Sequence, residues 1–394
     1  MSKIKTMRQG TNNLEVKKLN RNRVFRYVNS LDETCMPDIS AALDMSGPTV
    51  LTIINELKEA KVVEEVGEFK STGGRKAKAI ASIKDVKYAI GLDITKNHVS
   101  IVYTDLTQTA MKHERIHKPF FFADQYFREL LELIRNFVAK NQIPEEKIEG
   151  IGISVPAIVD TERRIITRSH VLGVENVSGE KWMEYMPYPC ELLNDANAAA
   201  IAESISGDWQ DNMVYLSLSN SVGGAVIFAD AMSSRTGLKI GRGNGLLYLG
   251  DNWRSGEFGH MVIHPGGKTC YCGRKGCLDA YCSAVKLANL EAGNLEAFFR
   301  KLEDGDAKYQ RIWREYLRDL AIAVDNLRMC FDCEVVLGGY VGNYIEPYIP
   351  QLRAMIAEKN LFKEGDYVRA CQYRKEASAF GAALYQIEKY ISTI

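Results

Sequence analysis

The chain has 394 residues, 46% of them apolar and 25% charged, with 50 basic side chains balanced by 50 acidic ones. This length exceeds one ordinary hydrophobic core and predicts two or three domains, and the composition is that of a soluble globular protein. No apolar run approaches the roughly 18–20 residues of a membrane span. The first residues lack the apolar core of a signal peptide, so we expect a cytoplasmic protein with no membrane partner.

The balanced total hides a basic N-terminal region. Residues 1–30 hold eight Lys and Arg side chains against one acid, Glu15. Residues 1–80 hold 14 basic and 10 acidic side chains, which leaves 36 and 40 for the remainder. A basic end on a slightly acidic body is typical of a protein that presents one end to a polyanion such as DNA. A solvated basic terminus would have the same charge pattern.

The first 84 residues carry three helical patterns and then a hairpin pattern. We expect Ser46 to cap the third helix, with Pro48 in its first turn. The expected helices and strands are Val16–Ser30, Asp38–Leu43 behind Pro37, a helix after Ser46, Val62–Val66 and Ala77–Ile83. We expect residues 71–76 to form the turn between the two strands.

This order of elements indicates a winged helix-turn-helix domain that binds operator DNA. Its third helix would enter the major groove with Ser46, Thr49 and Thr52 on the exposed side. Arg75 and Lys76, at the tip of the wing, would contact phosphate or a neighbouring minor groove. The competing interpretation is a small three-helix protein-interaction domain, and the basic first helix and basic wing argue against it.

A cluster of cysteines is the strongest chemical signal in the second half of the chain. Cys270, Cys272 and Cys277 lie within eight residues on a glycine-rich stretch. Three thiolates and one imidazole form the tetrahedral set that Zn²⁺ prefers, and a site with four protein ligands is structural. From spacing alone, His260 or His264 could supply the imidazole. The alternative is a group of unpaired surface thiols.

Several motifs together resemble the ROK family (repressors, open reading frames and kinases), and in particular its repressor branch of the xylose and N-acetylglucosamine type. The resemblance covers nearly the whole chain and implies an α/β fold, in which a winged helix-turn-helix precedes an actin-like ATPase body of two α/β domains with a structural zinc site. The motifs are Gly256–His260, Cys270–Asp279, Leu193–Ala200, Ala89–Asp93, Gly338-Gly339 and Gly381–Ala383. The expected domains are residues 1–84, residues 85–195 with 381–394 as the smaller body domain, and residues 196–380 as the larger one.

The resemblance also implies a sugar-binding cleft. Asp195 follows a strand pattern and precedes a helix pattern, and the carboxyl end of a strand is where α/β proteins place ligand contacts. A helix N-cap is the competing role for Asp195. The resemblance implies sugar contacts from Asn194, Asp195, Glu257, His260 and Asp279. It also selects His260 over His264 as the zinc ligand, and Asp279 stands where the family has a longer glutamate.

The two phosphate-binding loops of the family kinases are altered in this chain. The family's DxGGT reads Asp93-Ile94-Thr95-Lys96-Asn97, so both glycines are replaced. The second loop reads Ser219–Ala225 and keeps only its middle glycines, and Tyr340 replaces a third glycine on the adenosine side. Phosphoryl transfer needs backbone amides close to the phosphates, and side chains obstruct that approach. We therefore expect lost ATP binding, no enzyme activity and a vestigial base at Asp195.

These observations predict a sugar-responsive transcriptional repressor of carbohydrate metabolism genes. Its partners would be double-stranded operator DNA and a sugar or sugar derivative, and it would act as a homodimer or a dimer of dimers. The main alternative is an ATP-dependent hexose kinase that carries a DNA-binding head. Control by a protein partner docked on the body, which occurs in the family, leaves no recognisable trace in the sequence.

Overall fold

The computed structural model describes residues 13–69, 77–206, 211–229, 237–240, 245–374 and 376–394. These residues form two compact units. The first contains the chain up to Tyr88 together with Asp105–Thr107 and Ile387–Ile394, and the second contains Ala89–Thr104 and Gln108–Gln386.

The helices, in chain order, are α1 Asn13–Asn29, α2 Met36–Leu43, α3 Gly47–Glu59, α4 Asp124–Lys140, α5 Glu180–Met183, α6 Asp195–Ser206, α7 Asp279–Cys282, α8 Ala284–Ala288, α9 Leu295–Glu303, α10 Ala307–Phe331, α11 Gly339–Gly342, α12 Ile349–Lys359 and α13 Ala377–Thr393. The strands are β1 Val63–Glu68, β2 Lys78–Ser82, β3 Tyr88–Ile94, β4 His98–Thr104, β5 Lys112–His117, β6 Ile148–Val155, β7 Ile158–Asp160, β8 Ile165–Ser169, β9 Val174–Ser178, β10 Cys190–Asn194, β11 Met213–Leu218, β12 Val222–Phe228, β13 Gly237–Ile240, β14 Gly245–Tyr248, β15 Glu334–Gly338 and β16 Val368–Ala370. Within the described residues, no helix combines the length and apolar character that a membrane crossing requires.

The first unit contains the three helices and the two antiparallel strands that the sequence predicts. The Ser46 side chain caps α3 by accepting a hydrogen bond from the Thr49 backbone N–H, which satisfies one of the unpaired amides of the first turn. Helix α3 then buries one apolar face and leaves Ser46, Thr49 and Thr52 exposed. The buried residues are Val50, Ile53, Ile54 and Leu57. Arg75 and Lys76 lie outside the described residues.

The end of the chain completes the first unit. Arg26 of α1 forms an ion pair with Glu388 of α13 at 2.8 Å, and both side chains are largely buried. The Asn22 amide donates to the backbone carbonyl of Ile391. Residues 387–394 therefore belong with the N-terminal unit, which corrects the expectation that residues 381–394 belong wholly to the smaller body domain.

The second unit contains two large sheets. The first has the order β10-β6-β3-β4-β5, with β10 and β6 parallel and β3, β4 and β5 antiparallel. The second has the order β13-β14-β12-β11-β15-β16. Every residue of β11 is buried, as expected for a strand that is covered on both faces. A smaller antiparallel sheet, β7-β8-β9, follows β6 in the chain.

Small residues allow α13 to lie directly on the first sheet and on α6. A Cβ atom at Gly152 would lie 2.0 Å from the carbonyl oxygen of Ala382. A Cβ at Gly381 would lie 1.6 Å from the carbonyl oxygen of Ala198. Backbone contacts this close exclude any side chain, which gives the Gly381-Ala382-Ala383 motif a packing role.

Candidate functional site

The three cysteines and His260 converge on one point in the second unit. Their donor atoms all lie within 4.8 Å of one another. The Cys272 and Cys277 sulfurs are 3.9 Å apart, and the His260 Nδ1 atom is 3.8 Å from the Cys270 sulfur. Ligands about 2.3 Å from a tetrahedral Zn²⁺ are separated by about 3.8 Å. The four side chains therefore form a cluster that could hold a metal ion.

Local backbone geometry brings these donors together. Short antiparallel bridges join Val262 to Cys277 and Thr269 to Lys275. The Cys270 carbonyl accepts a hydrogen bond from Gly273, which turns the chain between Cys270 and Cys277. The segment has only a small buried cluster of its own, formed by Cys270, Cys277 and Ala280. A bound ion would therefore supply much of its stability.

His264 has a different environment from His260. Its Nε2 atom lies 2.7 Å from a carboxylate oxygen of Asp319, and its ring packs on Tyr281. The structure thus brings His260, rather than His264, to the three thiols. The other ring nitrogen of His260, Nε2, lies 3.3 Å from the Tyr271 hydroxyl and 3.9 Å from the Glu257 carboxylate.

The segment before the cluster packs directly against strand β12. Gly256 has a left-handed backbone, with φ of 84°, and a Cβ there would lie 2.1 Å from the Gly224 carbonyl oxygen. A Cβ at Gly259 would lie 2.1 Å from the Val222 carbonyl oxygen. These contacts fix Glu257, which lies between the two glycines, beside β12. They explain physically why the Gly-Glu-x-Gly-His motif requires both glycines.

A small cavity lies beside this segment. Its lining includes Asn194, Asn197, Trp253 and Glu257. The volume is about 20 Å³, which is enough for one water molecule. The Asn197 side-chain oxygen is buried there without a hydrogen-bond partner among the described residues, and Trp253 has a left-handed backbone with φ of 54°. The cavity thus brings amide and carboxyl side chains from two separate segments of the chain, residues 194–197 and 253–257, to one place.

Asn194, rather than Asp195, caps helix α6. The Asn194 side-chain oxygen accepts from the Asn197 backbone N–H, and its amide donates to the Ala157 carbonyl. Strand β10 ends at Asn194, so Asp195 opens the helix with its carboxylate on the wall of a second cavity. The capping role considered for Asp195 therefore falls to its neighbour.

The second cavity has a volume of about 200 Å³. Three acidic side chains line it: Asp93 at the end of β3, Asp195, and Glu376, which pairs with Arg115. Burial, together with the nearby Asp195 charge, raises the pKa of Asp93 to about 7, and Ser154 donates a hydrogen bond to its carboxylate. Burial also raises the pKa of Asp195 to about 6, with a further contribution from Glu257. The cavity therefore favours the protonated form of both carboxyl groups relative to water.

Backbone amides in both altered phosphate loops already have partners within the protein. The Thr95 N–H donates to the His98 carbonyl, and the His98 N–H donates to the Thr95 hydroxyl, which closes a tight turn between β3 and β4. In the second loop, the Val222 N–H donates to the Asp279 carboxylate at 2.7 Å. An amide with an internal partner is not free to bind phosphate.

Tyr340, which replaces the third glycine, also occupies the second cavity. Its ring packs beside the Arg115 guanidinium, 5.9 Å from centroid to carbon. Arg115 also pairs with Glu376 at 3.6 Å. The side chains of Arg115 and Tyr340 therefore occupy space in which a phosphate-binding site would hold the nucleotide.

The structure thus brings some of the predicted sugar-binding residues together and separates others. Asn194 and Glu257 line the small cavity, and Asp195 lines the larger one. His260 and Asp279 are not among the lining residues of either cavity. Asp279 is buried, and its carboxylate accepts a hydrogen bond from the Val222 N–H. A sugar contact from His260 or from Asp279 stays a prediction.

Sequence reasoning missed two residues of the small cavity. Asn197 belongs to the recognised motif Leu193–Ala200, so its spacing from Asn194 could have identified it. Trp253 carries no local signal, because its position depends on the backbone turn before Gly256. Arg115 of the larger cavity was also missed, because nothing in β5 marks it as a cavity residue.

These features define an α/β protein with an actin-like ATPase body. The chain belongs to the ROK family, whose model matches residues 89–389.

Named relatives of this chain are sugar-related repressors. The xylose repressor of Bacillus subtilis (strain 168) is 27% identical over 278 residues, which are 69% of this chain and 67% of the relative. A putative xylose repressor of Caldicellulosiruptor sp. (strain Rt8B.4) is 24% identical over 382 residues, 91% of this chain and 92% of the relative. The DNA-binding transcriptional dual regulator NagC of Escherichia coli (strain K12) is 26% identical over 267 residues, 67% of this chain and 62% of the relative.

A solved structure also matches nearly the whole chain. It is a ROK family transcriptional regulator described as a homologue of the E. coli MLC protein. The TM-score is 0.73 at 22% identity, and the match covers 96% of this chain and 97% of the other. This similarity supports the fold of the body and of the N-terminal unit.

Proposed function

We propose that this protein is a DNA-binding transcriptional repressor that responds to a sugar or sugar derivative bound in the second unit. The first unit would be its winged helix-turn-helix domain. Support comes from the capped helix α3, which buries one face and leaves short polar side chains exposed on the other. Short polar side chains of this kind read base edges in the major groove. The relative named putative xylose repressor matches 91% of the chain, which includes most of this unit.

The observation that carries the proposal is the internal pairing of the phosphate-loop amides. The Thr95 and Val222 N–H groups have protein partners, whereas a kinase needs such groups for its nucleotide. The sugar-side residues Asn194, Asn197 and Glu257 still converge on one cavity. A second unit that binds a sugar but no nucleotide would act as a sensor of that sugar.

The small cavity provides a means of response. At about 20 Å³ the cavity is too small for a sugar ring. Binding of a sugar therefore requires movement of the loop that contains Trp253, which follows β14 and precedes Gly256. A ligand that binds an open arrangement better than this closed one shifts the population between them. The sign of the response, release or tightening of DNA, follows from which arrangement binds the operator.

We further propose that the Cys₃His cluster binds one structural Zn²⁺ through Nδ1 of His260 and the three thiolates. The separations of 3.8 and 3.9 Å between donors support this assignment. The ion would hold the segment from His260 to Cys277, and thereby the Gly256–His260 turn that carries Glu257. Nε2 of His260 stays on the opposite side of the ring, facing Tyr271 and Glu257.

The test is binding of the full-length protein to DNA of its own promoter region, measured by fluorescence anisotropy with and without a panel of neutral and phosphorylated sugars. We expect a specific complex whose affinity changes at least tenfold with one of the sugars. A protein that binds no duplex at low salt would contradict the proposal, because non-specific affinity rises steeply as salt falls.

A sugar kinase with a DNA-binding head is the second candidate, and one observation favours it. Asp195 lies in the larger cavity with a pKa raised to about 6 by burial, which is suitable for a general base. A coupled ADP-release assay over a hexose panel distinguishes the two. Turnover in the wild type that disappears in Asp195→Asn would establish the kinase.

A further inference from the structure

The two cavities share three lining segments of the chain. Each segment lines both cavities with residues that are close neighbours in sequence. The members facing the larger cavity are Pro156, Asp195, Ala199, Ser219 and Ser221, and those facing the small cavity are Ile158, Val159, Asn194, Asn197, Gly223 and Gly224. A ligand held by Asn194 would therefore be one residue along the chain from Asp195, which lines the larger cavity.

The size of the larger cavity limits what it can hold. An engineered cavity of about 150 Å³ accepts benzene, so about 200 Å³ accepts one hydroxylated six-membered ring. Sites for larger, drug-sized ligands are about 300–1,000 Å³. At about 200 Å³ the cavity matches a single sugar unit more closely than a nucleoside triphosphate.

The charges in the larger cavity disfavour a phosphate group. Arg115 pairs with Glu376, and Arg374 pairs with Glu346. The wall also carries the carboxyl groups of Asp93 and Asp195. Each repels an anion when it is ionised, and neither supplies a positive charge when it is protonated. Lys96 also lines the cavity but is exposed, so its interaction with an anion would be weakened by solvent.

The polar groups that do face the cavity suit a neutral hydroxylated ligand. Ser217, Ser219 and Ser221 line the cavity together with the carboxylic acids Asp93 and Asp195. Hydroxyl and carboxyl groups together offer both donors and acceptors, as sugar hydroxyl groups require. Tyr340 adds a partly apolar surface of the kind that packs on the face of a ring.

We propose that the larger cavity is a second carbohydrate subsite and that the effector is a neutral, disaccharide-sized glycoside. One ring would occupy the subsite of Asn194, Asn197 and Glu257, and the next would lie between Asp195 and the serines Ser219 and Ser221. This inference rests on the proposed sensor function and names its ligand class.

The experiment measures ligand binding to the full-length protein by calorimetry and by the shift in melting temperature. The probes are glucose and xylose, the disaccharides cellobiose, maltose, lactose and xylobiose, and, as anionic competitors, glucose 6-phosphate and AMP-PNP with Mg²⁺. At least one disaccharide is expected to bind ten times or more tightly than either monosaccharide.

Two variants assign the additional affinity to the larger cavity. Ser221→Phe narrows it from a half-buried loop position, and Ala199→Val narrows it from helix α6, should the first variant fail to fold. Either should remove the advantage of the disaccharide over the monosaccharides. Asn197→Ala, in the other subsite, should instead weaken both classes of sugar together.

Each alternative result has a defined meaning. Monosaccharides that bind as tightly as every disaccharide would overturn the second subsite while leaving the sensor function intact. Glucose 6-phosphate or AMP-PNP binding that Ser221→Phe abolishes would overturn it in favour of a phosphate site. A disaccharide that binds tightly without changing DNA affinity would support the subsite and contradict the sensor function, and absence of binding by every neutral sugar would overturn both.

Discussion

Replacement of His260 by glutamine should release the metal from the Cys₃His cluster, whereas the same change at His264 should not. The two histidines are four positions apart in the same segment, but only the His260 ring faces the thiols. His264→Gln removes a different contact, the 2.7 Å bond to Asp319. It therefore controls for local disturbance of the segment.

The expected magnitude follows from the geometry. Four protein donors make a closed site, so removing one leaves three ligands and an open position. A loss of at least 100-fold in zinc affinity corresponds to about 2.7 kcal/mol. If that binding energy stabilises the second unit, the melting temperature should fall by about 5 °C, at roughly 2 °C per kcal/mol for a unit of this size.

The assay combines metal analysis with thermal unfolding under reducing conditions. Wild type and His264→Gln should each carry close to one equivalent of zinc after dialysis, and His260→Gln should carry little. The chelated wild type should melt at the same temperature as His260→Gln. Zinc retained by His260→Gln, or lost from His264→Gln, would refute the assignment of the fourth ligand.

Three further changes test other parts of the structure. Gly256→Ala should lower the free energy of unfolding by about 3 kcal/mol or more, because the new Cβ would lie 2.1 Å from a carbonyl oxygen. The control is Gly266→Ala, which is also at positive φ but has open space around it and should cost about 1 kcal/mol. Denaturant titration measures both. The pKa of Asp93 is about 7 in the folded state and about 3.9 in the unfolded state, so the protein should lose up to about 4 kcal/mol of stability as the pH rises from 4 to 7. Asp93→Asn should flatten this pH dependence. The same pH dependence in the variant as in the wild type would contradict the role of Asp93. Thr52→Ala should weaken promoter binding about tenfold or more by anisotropy, whereas Thr393→Ala, which removes a similar exposed hydroxyl-to-carbonyl bond, should leave binding unchanged.

Features encoded by neighbouring residues were predictable from the sequence. The capping of α3 by Ser46 depends on a bond to Thr49, three residues away, and the structure confirms it. The three cysteines span only eight residues, so their spacing alone indicates a shared point. Local signals of this kind survive because few alternative geometries are available to a short segment.

Features that depend on distant contacts were not predictable. The hydrogen bond that Asp279 accepts from Val222, 57 residues away in the chain, is one example. Arg115 lies on β5 and Tyr340 lies in α11, directly after β15. The two residues are far apart in the chain, yet they meet in the larger cavity. The replacement of the loop glycines was visible in the sequence. The hydrogen-bond acceptor of the Val222 amide was not, because it depends on the tertiary fold.

The ion pair between Arg26 and Glu388 affects how this protein can be engineered. Because residues 387–394 pack within the N-terminal unit, that unit is assembled from segments that are far apart in the chain. A chimera that exchanges only the first 88 residues would therefore pair a foreign α1 with a mismatched C-terminal helix. Swapping specificity between regulators of this kind calls for transplanting both termini together, and an affinity tag is best kept away from Ile394, which is itself buried.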